Sequence, residues 1–221
     1  MDPQIEINDI FLAAAEYIDS DHRSIYQFVQ TRVGHLGTDV EKAHILYRCV
    51  RDEVRYDPYV DYTDLSTYRA SAVLAQGKGY CVGKSALFCA LCRAAEIPAR
   101  IGLADVRNHL ATARLLNMTR TDIFVLHGYV ELYLDRRWVK ATPTFDAALC
   151  RKLDVNVLEF NGIDDALLQP FSADGRTFME YSRIHGTFFD VPAKFVMHTM
   201  MRCYPLLCRP GGVRGIMAKE V

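Results

Sequence analysis

Between Gly77 and Ala95 the chain passes from a glycine-flanked turn into an apolar run of small residues, and Cys81 stands at the junction. Gly77-Lys78-Gly79-Tyr80 precedes it, and Val82 to Ala95 follows. The run predicts a helix beginning at Cys81. Two glycines let the backbone turn sharply and expose a sulfur, and a helix N-terminus lowers a thiol's pKa. Downstream, Leu126-His127-Gly128-Tyr129-Val130-Glu131-Leu132-Tyr133-Leu134 reads as a strand. A second strand, Trp138-Val139-Lys140-Ala141-Thr142, leads into Pro143-Thr144-Phe145-Asp146. A Cys at a helix start, then a His and an acid on neighbouring strands, is the set a thiol nucleophile needs. The His takes the proton and a third group orients the His. The competing reading is a buried core cysteine, the usual fate of that residue. Tyr80, Lys84 and the glycines are poor company for it.

The rest of the chain sets the frame. At 221 residues it fits one large domain. The expected division is a core over about 38–146, a helical N-terminal segment over 5–37 and a C-terminal segment over 147–221. A net charge of −1, with no basic cluster, argues against a nucleic-acid or polybasic membrane partner. No apolar run approaches the roughly 18 residues of a membrane span. Met1-Asp2-Pro3-Gln4-Ile5-Glu6 lacks the basic and apolar parts of a signal peptide. Seven scattered cysteines without framework spacing then suggest reduced thiols in a cytoplasm.

Ile10, Phe11, Ala14 and Ile18 form an apolar stripe at helical period, ended by Asp19-Ser20-Asp21; Ile25, Phe28, Val29 and Val33 form the next. Thr38 with Glu41 resembles a capping box, opening a third helix with Ala43, Ile45, Leu46, Cys49 and Val50. Arg55 to Gln76 reads as a structured loop with a short helix near Ser71–Ala75. A strand is expected around Ile101–Val106, and a connector or short helix over 108–117. Two strands near 123–134 and 137–142 are joined at Asp135-Arg136. Beyond Asp146 the pattern is less regular, with turns at Asn161-Gly162 and Asp174-Gly175, a helix from Pro192 to Cys203, and a loose tail after Pro205. Helices followed by antiparallel strands argue an α+β fold.

Four pieces together resemble the transglutaminase-like superfamily of papain-fold cysteine enzymes. They are Gly79-Tyr80-Cys81-Val82-Gly83-Lys84-Ser85-Ala86, Arg93 to Arg100, His127-Gly128-Tyr129-Val130-Glu131 and Trp138-Val139-Lys140-Ala141-Thr142-Pro143-Thr144. Bacterial transglutaminase-like proteins look similar over the whole chain, including Asp164-Asp165-Ala166, Met179-Glu180-Tyr181 and Phe189-Asp190-Val191-Pro192. The resemblance implies a nucleophile helix packed on an antiparallel sheet, with Cys81 as nucleophile and His127 as its base or ion-pair partner. It departs from the family at one position. The commoner form has an Asp directly before the Pro-Thr pair, where this chain has Thr142. Asp146, looping back from four residues on, is the favoured residue to orient His127 and completes the catalytic set, ahead of Thr142 or a water.

Lesser candidates are Gln76 as a side-chain oxyanion donor, Tyr80 as a pocket residue, and Cys81's own amide as an oxyanion donor. Cys89 and Cys92 sit inside the helix and read as core, without the second ligand pair a zinc site needs. His109 would line the cleft or close a strand end, and Arg100 would sit in an ion pair. Tyr56, Tyr59, Tyr62 and Tyr68 would wall the cleft or pack in a loop. His185-Gly186 and Met197, Met200 and Met201 read as core or interface. No cofactor or metal is expected. The leading function is thiol acyl chemistry on an amide of a peptide, protein or small molecule. Hydrolysis is slightly favoured over transfer to an amine, and a catalytically weak interaction module is the alternative of another class.

Overall fold

The computed structural model describes residues 9–109, 111–167 and 179–220. Its centre is the helix predicted from the apolar run. Helix α4 (Cys81–Ala94) is preceded by α1 (Arg23–Val33), α2 (Asp39–Glu53) and α3 (Ala70–Gln76). Every residue from Cys81 to Arg93 is buried. A helix apolar on all sides needs neighbours on all sides. Here α1, α2 and α3 pack on it from one direction and strands β3 (Ala99–Asn108) and β4 (Ile123–Leu134) from the other. Cys89 and Cys92 lie fully buried in that core.

The sheet is antiparallel, in the order β5-β4-β3-β6, with β5 at Arg137–Ala141 and β6 at Met179–Phe188. Asp135 and Arg136, both in the left-handed region at φ 46° and 66°, make the tight β4–β5 turn. A two-stranded parallel ladder joins β1 (Arg55–Tyr56) to β2 (Lys78–Gly79), just ahead of Cys81. Short helices α5 (Ala113–Thr119) and α6 (Ala147–Leu153) follow β3 and β5, and α7 (Ala193–Cys203) follows β6. The capping box opens α2: Thr38 Oγ1 accepts from the Glu41 amide, and the Glu41 carboxylate accepts from the Thr38 amide.

The N-terminal segment is less helical than its periodicity suggests. Residues 9 and 10 are helical, but the chain from Phe11 to His22 runs as turns and bends before α1, and residues 5–8 lie outside the described residues. The stripe packs without helical repeat. Phe11 stacks edge-on against Trp138. The amides of Tyr17 and Ile18 donate to the Asp190 carboxylate. The Asp19 carboxylate is taken by the Ser71 amide and hydroxyl, so His22 caps α1. Long-range partners have replaced the intrahelical bonds. Strand β6 is a second departure, since its sequence lacks clean alternation. The tail after Pro205 is a third: it packs on the body, with Leu207, Cys208 and Met217 buried. The turn expected at Asp174-Gly175 lies outside the described residues, whereas Gly162 turns at φ 76°. Among the described residues no helix is long and apolar enough to cross a membrane.

Candidate active site

Cys81 begins α4 directly after β2. Gly77 caps α3 in the left-handed region at φ 61°, so it supplies the conformational freedom that the turn needs. Gly79 supplies room instead: a Cβ there would lie 3.0 Å from Val73 Cγ1. Tyr80 is the N-cap of α4 and gives no side-chain cap, which leaves the first amides of the helix without a side-chain acceptor. Its ring is wedged edge-on against Tyr62 and Tyr68.

His127 comes from β4, opposite Ala104 of β3. The strand reaches it through Leu126, which sits at φ 57°. That conformation costs a branched residue about 1–2 kcal/mol. Asp105 holds it: Oδ1 accepts from the Leu126 amide at 3.0 Å and from His185 Nε2 at 2.7 Å. The β3–β4 register shifts at the same place, between Ala104 and Val106. The kink therefore aims His127 into a cavity that it shares with Cys81.

Gly128, the next residue, lies against the start of α4. A Cβ on it would stand 2.9 Å from Val82 Cα and 3.2 Å from the Cys81 carbonyl oxygen. Because the strand comes this close, the Gly128 amide reaches the thiol. The amides of Gly128, Val82 and Cys81 all favour a thiolate there, but burial outweighs them and pushes the Cys81 thiol up to about 11. Burial alone pushes the His127 imidazole down to about 3. At rest the pair is thus a neutral thiol and a neutral imidazole, and His127 Nε2 is buried without a hydrogen-bond partner. A helix start by itself would lower the thiol's pKa. The amides do act in that sense, but they lose to desolvation.

Gly128→Ala tests the close approach. The new methyl would meet backbone, which cannot rotate away, so a loss of about 1–3 kcal/mol of stability is expected in urea unfolding. An unchanged midpoint would mean that β4 can lift off α4 freely.

The remaining predicted residues divide. Thr142 is 1% exposed, and its hydroxyl is buried without a hydrogen-bond partner. Its amide donates to Ala166. The β4–β5 register ends at Val130 opposite Ala141. One further step would set Thr142 opposite Tyr129 and diagonal to His127, within reach of a long side chain. Asp146 is elsewhere engaged. It caps α6, with Oδ1 accepting from the Leu149 amide at 2.9 Å, while Oδ2 faces the Tyr56 amide at 3.4 Å. No hydrogen bond joins it to His127, because the turn after Pro143 delivers it to a helix start. Gln76 is exposed at the end of α3 and does not line the cavity. His109 contacts Glu180 at 3.1 Å, away from the cavity. Arg100 pairs with Glu131 at 2.7 Å on the sheet. Of the four loop tyrosines, Tyr56 and Tyr62 wall the cavity, while Tyr59 and Tyr68 do not.

The sequence leads one to expect a helical C-terminal segment beside the cleft, but not which of its residues roof the cavity. Tyr204, Leu207 and Met217 from the C-terminal segment complete the cavity wall, leaving about 50 Å³. The segment is latched by Glu220, whose carboxylate accepts from the Tyr59 hydroxyl at 2.6 Å, Arg114 Nη1 at 2.8 Å and Thr112 Oγ1 at 3.1 Å. Arg114 also donates to the Arg214 carbonyl. Arg114→Ala is expected to raise alkylation of Cys81 at pH 9 roughly five- to tenfold, the worth of one or two such bonds. An unchanged rate would mean that the roof does not limit access. No local signal marks Glu220; only its partners, 106 to 161 residues away in the chain, give it meaning.

With the geometry in place, comparison defines the class. The family model of the transglutaminase-like superfamily matches residues 17–143, more than half of the sequence. The chain belongs to that superfamily. Among solved structures it is similar to a candidate cysteine protease of Cytophaga hutchinsonii, at 20% identity and a TM-score of 0.52. That match covers 87% of this chain and 50% of the Cytophaga protein, so this chain spans about half its length. A structure of a TGase is matched at 16% identity and a TM-score of 0.38, over 67% of this chain and 34% of that one. No curated protein matches.

Proposed function

We propose that the protein is a cysteine acyl-transfer enzyme in which Cys81 attacks a carbonyl carbon and His127 carries the proton. The observation that carries this reading is the thiol at a helix start without a side-chain cap, sharing one cavity with an imidazole whose Nε2 has no hydrogen-bond partner. As a carbonyl substrate arrives, His127 takes the thiol proton while sulfur bonds to carbon. The amides of Cys81 and Gly128, already turned toward the sulfur, would hold the oxygen as it gains charge. Collapse expels the leaving group with the proton from His127, and a thioester on Cys81 remains. Water then gives hydrolysis, the favoured outcome; an amine acceptor gives amide exchange. Thr142 is the better candidate to orient the imidazole, because its hydroxyl is buried and unspent while both Asp146 oxygens face other amides.

A second reading is a catalytically weak interaction module, favoured by the hydroxyl at position 142 where a carboxylate would stabilise imidazolium. The test is intact-mass analysis after exposure to activated acyl esters. A single acyl adduct, absent in Cys81→Ala and slowed in His127→Ala, supports the enzyme. No adduct with any ester supports the module.

A further inference from the structure

We propose that the acyl group accepted at Cys81 is apolar and uncharged, an aliphatic or aromatic acyl chain; this rests on the acyl-transfer reading above. None of the described residues lining the cavity is an aspartate, glutamate, lysine or arginine. Beyond the thiol, the wall is built from Val106, Leu115, Phe124, Met179, Met200 and Leu207 among others. These come from separate parts of the chain, namely β3, α5, β4, β6, α7 and the C-terminal tail, so their convergence on one sulfur is a property of the fold.

Two hydroxyls at the wall are committed, whereas the Tyr80 hydroxyl, like His127 Nε2, is buried without a hydrogen-bond partner. The Tyr204 hydroxyl donates to the Ile123 carbonyl and accepts from the Val125 amide. The Tyr62 hydroxyl donates to the Pro58 carbonyl. The effect of this wall on the reacting pair shows in both directions, since burial keeps the thiol protonated and the imidazole unprotonated. A carboxylate or ammonium on the acyl group would meet the same desolvation with no counter-charge. An alkyl or aryl chain would instead exchange water for methionine and aromatic contacts, and methionine adapts to irregular shapes. The resting space of about 50 Å³ holds only a few water molecules, so the acyl chain takes room by displacing the roof residues Leu207 and Met217.

The chemistry balances without a further reactant. Sulfur bonds to the carbonyl carbon, the bond to the leaving oxygen, nitrogen or sulfur breaks, and the thiol proton leaves with that group. Water then divides the thioester into a carboxylic acid and the restored thiol. Two sources offer such a group: a fatty acyl ester or thioester, and a peptide with a hydrophobic residue at the scissile carbonyl.

The experiment measures kcat/KM for p-nitrophenyl acetate, butyrate, hexanoate, octanoate, hydrocinnamate and monosuccinate, with the adduct located on Cys81 by mass spectrometry. The expected result is a gain of about fourfold per methylene over the early members, with the charged succinate the poorest. Phe124→Ala should lower the octanoate-to-acetate ratio. A flat series, or succinate equal to butyrate, would overturn the apolar class while leaving the thiol reading intact. Absence of any Cys81 adduct would overturn both. An octanoyl thioester and an N-acylated phenylalanine anilide then separate the two sources, by which of them turns over faster. Turnover of neither, against rapid cleavage of a glutamine amide, would also overturn the class.

Discussion

At pH 7, Cys81 is expected to react slowly with iodoacetamide, behind the exposed Cys203, and its rate should climb about tenfold per pH unit towards pH 10. His127→Ala is expected to cut acylation by a good ester roughly 10²- to 10⁴-fold, the usual worth of a positioned base. Both results follow from one cause. Burial holds the thiol near 11 and the imidazole near 3, so proton transfer between them is uphill until a substrate carbonyl supplies the driving force. Rapid labelling of Cys81 that stays flat from pH 6 to 9 would reveal a standing thiolate–imidazolium pair and refute this. The same burial predicts acid sensitivity. The folded-state pKa of His127 lies below its ordinary 6.5, so the unfolded chain takes up the proton first as pH falls. Its contribution to stability is present above about 6.5 and is lost as pH falls towards 3, at up to about 1.4 kcal/mol per pH unit. Urea midpoints measured from pH 7 to 4 should fall less steeply in His127→Gln.

The helix at Cys81, the hairpin through His127 and the α2 capping box were legible because each rests on local chemistry: an unbroken apolar run, a tight turn between alternating strands, and a reciprocal cap. What was not legible depends on pairs distant in sequence. Phe11 to Ile18 has helical spacing, yet Asp190 takes two of its amides and no helix forms. Asp146 carries the right charge near the right strand, but helix α6 takes its carboxylate. The thiol's pKa follows the same rule. A helix start can be read from sequence, but the burial that outweighs it comes from walls as far apart in the chain as Tyr56, Phe124 and Leu207.

Lys84→Met is expected to lower stability by about 2–4 kcal/mol at pH 9, by leaving two buried carbonyls without a donor. Lys84 sits one turn after Cys81, is 0% exposed, and donates through Nζ to the carbonyls of Arg51 and Val54 at the end of α2. It thereby ties the helix that carries the thiol to the start of β1, whose Tyr56 forms part of the cavity wall. Methionine keeps the volume and removes only the donor, so the loss reports those bonds and not an empty space. The pH dependence separates this from simple packing. Burial, opposed by Asp146 and Asp52, pushes the Lys84 ammonium down to about 7 from an ordinary 10.5. As pH falls through that window the unfolded chain binds a proton that the folded chain does not. The lysine's contribution is therefore fullest above 10.5 and is lost as pH falls towards 7. The gap between wild type and Lys84→Met should narrow by about 1 kcal/mol per pH unit between pH 9 and 7 in urea unfolding. A constant gap would mean that the folded protein keeps this ammonium charged throughout. The helix start would then face a buried positive charge one turn away, which would favour a thiolate on Cys81 and turn the expected order of alkylation around.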